Sequence, residues 1–177
     1  NSFVYTAGSL VLCLAVSVMV AYAITRMRMK HANLVRMYFT MGMLIPVSVL
    51  MIPVYRLVMT LGIKGTAWSL ILPYAAFAMA SAILMICAFF RSIPVEMEEA
   101  AAIDGCSPEG TFFRIIFPLL SPVITTVTIL NGMWIWNDYL LPSLMLGQNG
   151  KVKTLPVAVQ AFVGSYVKQW DLILTAA

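Results

Sequence analysis

The sequence predicts an all-α fold, a polytopic transmembrane helix bundle, on three observations. Of 177 residues, 62% are hydrophobic and only 10% are charged, with a mean hydropathy of +0.93. A soluble domain is about half apolar and a quarter charged. Four stretches each supply about 20 mostly apolar residues, enough to cross roughly 30 Å of hydrocarbon as helix. Helix is required there because lipid offers the backbone no hydrogen-bond partner. This composition excludes a soluble globular enzyme and excludes disorder equally.

The first expected span runs over about 3–24 and carries no charge. The second, about 37–61, is interrupted by Pro46 and Pro53 and holds Arg56 near its far end. Each proline removes an intrahelical bond, so a kink is expected. The third, 68–90, has Pro73 in its first turns, and the fourth, about 119–141, has Pro122 early and Asp138 late. Arg56 and Asp138 are expected to face water or snorkel outward. Another apolar run starts near 171, and the chain neither opens on Met nor ends outside a run. It therefore reads as one membrane domain, truncated at both ends.

Charge assigns sides to the connections. Residues 25–36 hold four of the eleven basic groups and no acid, the pattern of a cytoplasmic loop. Alternation then puts 62–67 outside, 91–118 inside and 142–170 outside. The net charge of +4 is loop charge; no basic stripe exists to follow a nucleic-acid backbone. The long 142–170 segment reads as a solvated connector, with docking of a partner protein as its other use.

Cys13, Cys87 and Cys106 are too few and too scattered for a disulfide framework or metal site. His31 sits among Arg26, Arg28, Lys30 and Arg36, which makes it a poor catalytic base. The 13 methionines suit adaptable packing, and Trp68, Trp134, Trp136 and Trp170 fall near span ends, where amphipathic rings favour the interface.

Five of the seven acidic residues crowd into one loop: Glu96, Glu98, Glu99, Asp104 and Glu109. Ser92 is placed to cap a helix with Pro94 in its first turn, and the glutamates then lie near the positive end of the helix dipole. Ala100, Ala101 and Ala102 are strong helix formers without bulk. Gly105 suits the left-handed residue that ends a helix, and Ser107-Pro108 repeats the start signal. A second short helix is expected through Phe112, Phe113, Ile115 and Ile116 until Pro118. Alanines beside carboxylates suit a docking surface for a basic partner; they also suit an acidic helix that merely caps the bundle.

The loop resembles a known family. Glu99-Ala100-Ala101, three residues, Gly105, nine residues, Ile115, one residue, Phe117-Pro118 resembles the EAA loop of binding-protein-dependent ABC importer permeases, with Phe117 where the family pattern has Leu. The extended form from Ile93-Pro94 through Glu98-Glu99 to Asp104-Gly105 looks like the carbohydrate-uptake branch. So do Trp136-Asn137-Asp138, Thr154-Leu155-Pro156-Val157 and Trp170-Asp171-Leu172. Within that branch the chain is similar to MalG-like permeases.

The resemblance implies a fragment of a six-span permease whose cytoplasmic two-helix coupling loop, 91–118, docks on ATP-binding subunits. The implied coupling residues are Glu98, Glu99, Ala100, Ala101, Asp104 and Gly105. It implies as partners a second permease subunit, an extracytoplasmic solute-binding protein, a sugar substrate and the lipid bilayer, with no nucleic acid. The setting would be a bacterial or archaeal plasma membrane. This chain would be no enzyme and carry no cofactor, ATP and Mg being bound by the partner ATPase. The absence of a G-x-x-x-x-G-K-[ST] motif fits that division of labour.

For a pathway the fourth span offers Thr125, Thr126, Thr128, Asn131, Trp134 and Asn137. Asn131, Trp134 and Asn137 are the pathway candidates, a stacking face with amide partners. Ser, Thr and Asn also hydrogen-bond between helices in bundles, which is the commoner use. An importer for amino acids or peptides is the nearest alternative. An ion-coupled secondary transporter would place ionisable groups at mid-span, and none is found there.

Overall fold

The computed structural model describes residues 1–27, 29–147 and 153–161. The described residues form helices and no strand. In chain order these are α1 (Ser2–Arg26), α2 (Ala32–Met43), α3 (Val47–Thr60), α4 (Trp68–Phe90) and α5 (Glu96–Ile103). Then come α6 (Pro108–Thr111), a π-turn (Phe112–Ile116), α7 (Phe117–Leu119), α8 (Ser121–Asn137), α9 (Leu140–Leu146) and α10 (Leu155–Ala161). The apolar run near 171, Trp170-Asp171-Leu172 and Arg28 lie outside the described residues.

α1 and α4 are each long and apolar enough to cross a membrane. α1 carries its only charge, Arg26, in the last turn, where a cation complements the helix dipole. Two of its hydroxyls are satisfied within the helix: Ser9 donates to the Tyr5 carbonyl at 2.6 Å and Thr25 to that of Ala21 at 2.6 Å. α4 buries Tyr74, Ala78, Ala82, Ile86 and Phe90, a stripe at helical spacing.

The other two expected spans are broken. Residues 37–61 are not one helix: the chain leaves helical geometry at 44–46 and restarts behind Pro46, which sits extended at φ −60°, ψ 130°. Pro53, by contrast, stays inside α3. The span expected over 119–141 ends at Asn137. The Asp138 carboxylate accepts from the backbone N–H of Leu140 at 3.1 Å and of Leu141 at 3.3 Å, so a new helix begins there. A short acidic side chain offers the backbone this alternative to continuing the ladder. In 142–170, read as a connector, α9 and α10 are helical, while 148–152 and 162–170 lie outside the described residues.

The chain divides into two compact units. The first comprises Asn1–Val11, Pro46–Phe77 and the described residues from Asn131 onward. Its helices approach closely at glycines: a Cβ on Gly8 would come within 3.0 Å of Ile71 Cδ1, and one on Gly132 within 3.3 Å of Leu10 Cδ1. Such small-residue contacts let backbones near one another where lipid gives no hydrophobic drive to associate. Tyr74 is buried here, donates to Asp138 Oδ2 at 2.7 Å and meets Trp134 edge-on at 5.8 Å. Asp138 is therefore half-buried and held by Tyr74 from within its own unit; Arg56 is exposed.

The second unit comprises Leu12–Ile45 and Ala78–Leu130 and holds the acidic loop. Its core gathers Phe90, Ile93, Ala101, Ile116, Leu120, Val123 and Val127.

Candidate functional site

The loop folds as two helical pieces around a glycine turn. α5 starts beyond Pro94, later than a Ser92 cap would give: Val95 stands at its N-cap without a side-chain bond. Ser92 does not cap it, because its hydroxyl donates back to the Phe89 carbonyl at 2.7 Å and closes the end of α4 instead. Glu96, Glu98 and Glu99 fill the first turn of α5, where the helix dipole favours anions.

Gly105 ends α5 as the sequence predicts. Its φ is +79°, Cys106 N–H donates to the Ala101 carbonyl at 2.9 Å, and Gly105 N–H to that of Ala102 at 3.1 Å. This is the paired-bond helix ending that requires a left-handed residue. A Cβ on Gly105 would meet nothing within 4 Å, so the requirement is conformational and not steric. Ser107 then caps α6, accepting from Gly110 N–H at 3.1 Å with Pro108 behind it. The second helical piece runs to Leu119, past the expected stop at Pro118. Its π-turn, closed by Phe117 N–H on the Phe112 carbonyl, widens the backbone just ahead of the proline ring.

The six candidate coupling residues divide between two faces. Glu99, Ala100, Asp104 and Gly105 are exposed, whereas Ala101 is buried against its own unit. Glu98 is turned inward too. Its Oε1 lies 2.7 Å from Arg26 Nε, with side-chain exposures of 18% and 11% for the pair, and its Oε2 accepts from Tyr22 at 3.4 Å. Glu98 and Ala101 therefore form the back of α5. An internal arginine thus holds the Glu98 carboxylate. Sequence reasoning missed Arg26, which looked like one more loop charge 72 residues away, a separation at which no local pattern speaks. It also missed Ile103, 87% exposed at the end of α5 and one turn from Glu99. An apolar residue on the acidic face was the available signal.

Around the same end, Tyr22 stacks edge-on to Phe112 at 5.0 Å and lies 6.0 Å from Phe90. A recess of about 420 Å³, lined by Met19, Tyr22, Ala23, Met27, Pro108, Phe112, Phe113 and Glu109, lies between the last turns of α1 and the start of the second helical piece.

The polar side chains of α8 bond largely within their own helix. Thr125, Thr126 and Thr128 donate to the carbonyls of Ser121, Pro122 and Ile124, four residues back on their own helix. Asn137 donates likewise to Met133 at 2.8 Å and is exposed. These bonds run within the helix and not between helices. Asn131 is buried at 9% exposure and bonded, and Trp134 is 39% exposed.

A broken, Gly-jointed helical chain with an acidic two-helix loop describes a polytopic membrane component. Residues 13–174 match the family described as binding-protein-dependent transport system inner membrane component, and the chain belongs to that family. It is 38% identical over 174 residues to the probable starch degradation products transport system permease protein AmyC of Thermoanaerobacterium thermosulfurigenes, covering 97% of this chain and 62% of that protein. It is 35% identical over 178 residues to the melibiose/raffinose/stachyose import permease protein MelC of Bacillus subtilis, covering all of this chain and 64% of that protein. The crystal structure of a bacterial ABC transporter involved in the import of the acidic polysaccharide alginate shares the fold. Its TM-score is 0.80 at 23% identity, over 99% of this chain and 62% of that one. The chain thus spans about three fifths of the length of these relatives.

Proposed function

We propose that this chain is the membrane-spanning part of a permease subunit in an ATP-driven sugar importer of a bacterial or archaeal plasma membrane, coupled to a cytoplasmic ATPase through the 91–118 loop. The observation that carries the reading is the exposed face of α5. Glu99 and Asp104 offer carboxylates, Ala100 leaves room for close approach, and Ile103 projects an apolar side chain, all ahead of the Gly105 turn. That combination suits a groove with apolar walls and basic lips. Glu98 and Ala101 hold the helix from behind. Sugar as cargo is supported by the relatives' substrates, starch degradation products and the melibiose group.

In this mechanism ATP and Mg sit on the partner subunits, and this chain's residues transmit. ATP favours one global state of the assembly over the other, and that differential affinity is what moves the loop. α4 and α8 are continuous with the loop at its two ends, so its displacement rocks them. A second permease subunit completes the pathway, and an extracytoplasmic solute-binding protein delivers the sugar. Asn131, Trp134 and Asn137 of α8 are the candidates to line the path.

The test is retention of the ATPase by the complete, tagged permease co-expressed with its partner permease and ATP-binding subunits. Wild type should retain it, and the Glu99→Lys, Gly105→Val double variant should lose it at equal permease abundance. Valine at φ +79° costs about 1–3 kcal/mol of backbone strain, enough to undo the turn that aims α5. Retention by the double variant would sink the assignment of this face.

A further inference from the structure

The acidic loop joins α4 at one end and α8 at the other, yet its firmest side-chain contacts are with α1. Arg26 is the last residue of α1 and stands 67 residues ahead of Ile93. Its guanidinium grips three consecutive segments at once. Nη2 donates to the carbonyl of Phe90, the last residue of α4, at 3.4 Å, and to the Ile93 carbonyl in the following turn at 2.6 Å. Nε pairs with Glu98 on α5 at 2.7 Å. The same group lies over the Phe90 ring at 5.8 Å. One turn earlier, Tyr22 reaches the other oxygen of Glu98 and packs on Phe112, the first residue of the π-turn.

A surface ion pair is solvated and screened, and each partner can leave without consequence. This pair is four-fifths or more buried and shares its cation with two backbone carbonyls. The guanidinium's fixed fork favours such multiple engagement, which a lysine would not reproduce. Displacing α5 from α1 would break the ion pair and the Tyr22 bond together and leave a charge on each side uncompensated.

We infer that Arg26 and Glu98 form a latch through which movement of the coupling loop is carried into α1, so that three spans and not two follow the ATPase. Arg26 and Glu98 are positioning residues in this scheme and touch neither nucleotide nor sugar. The inference rests on the coupling role proposed above.

The experiment uses the full-length permease in its complete complex, with Cys13 and Cys87 changed to Ala. Spin labels are placed on native Cys106, just beyond α5, and on Met27→Cys, just beyond α1. Their separation is measured by pulsed electron paramagnetic resonance without nucleotide and with magnesium and a non-hydrolysable ATP analogue. With the latch intact the two distributions should coincide, because α1 and α5 move as one piece. In Arg26→Gln and in Glu98→Gln, with the ATPase still retained, the analogue should shift the distance beyond the wild-type width. Should Arg26→Gln fail to assemble, Arg26→Lys, which keeps the cation and loses the fork, gives the same comparison.

A nucleotide-dependent distance in wild type would overturn the latch, and so would coincident distributions in the variants. Loss of the ATPase from the variants alone would also overturn it, leaving the pair a support for the docking surface. Failure of the wild-type complex to retain any ATPase would bring down the coupling reading itself.

Discussion

Two carboxylates of this chain are each held by a tyrosine, and they are held for different ends. Asp138 takes the hydroxyl of buried Tyr74 at 2.7 Å and the N–H groups of Leu140 and Leu141. These partners are neutral, and two of them start the next helix, so the group is spent on local architecture. Glu98 takes the longer Tyr22 bond at 3.4 Å and a guanidinium that also binds two carbonyls in other segments. A carboxylate among neutral donors fixes where a helix begins. One paired with a shared cation ties together segments far apart in sequence.

The comparison breaks most readily from the buried side of α5. Ala101 is 4% exposed, so Ala101→Asp sets an unpaired charge into packed surroundings. A loss of about 3–5 kcal/mol is expected, read as a collapse of permease abundance and of the thermal midpoint in detergent. Undiminished stability would mean that this face packs on nothing of its own chain. Next comes Asp138→Ala, which strands the Tyr74 hydroxyl and uncaps α9. The expected loss is about 2–4 kcal/mol, and the Tyr74→Phe, Asp138→Ala double variant should recover part of it. If the double is no better than the single, the Tyr74 bond is not what Asp138 supplies. The smallest effect belongs to Tyr22→Phe, about 0.5 kcal/mol, because Arg26 still compensates Glu98. A thermal shift as large as that of Asp138→Ala would mean that tyrosine, and not arginine, holds the loop.

Much of this was legible before any coordinates. Apolar runs located α1 and α4, the break behind Pro46 followed from the missing N–H, and Gly105 and Ser107-Pro108 announced the turn and the second helical piece. These are local signals, set within a few residues. What the sequence hid lies across long separations. Nothing near Arg26 indicates Glu98, and nothing near Asp138 indicates Tyr74, 64 residues earlier. The division of Glu98 and Ala101 from Glu99 and Ala100 depends on which flank of α5 meets its unit, and three successive alanines leave that unmarked. The threonines of α8 misled for a related reason. Their spacing is equally consistent with bonds to a neighbour or to the carbonyl four residues back, and the nearer partner won.

The π-turn at Phe112–Ile116 has a consequence for how this stretch tolerates change in length. Such a turn amounts to one residue more than an α-helix needs over the same rise. Deleting a single residue within it would leave a regular helix ahead of Pro118 with the later side chains near their present phase, whereas the same deletion inside α8 would swing every later side chain by about 100° around the axis. Val123 and Val127, now buried, would keep their facing after a deletion in the π-turn. A one-residue deletion is therefore absorbed more readily here than within α8, and relatives one residue shorter in this stretch should place their gap at 112–116.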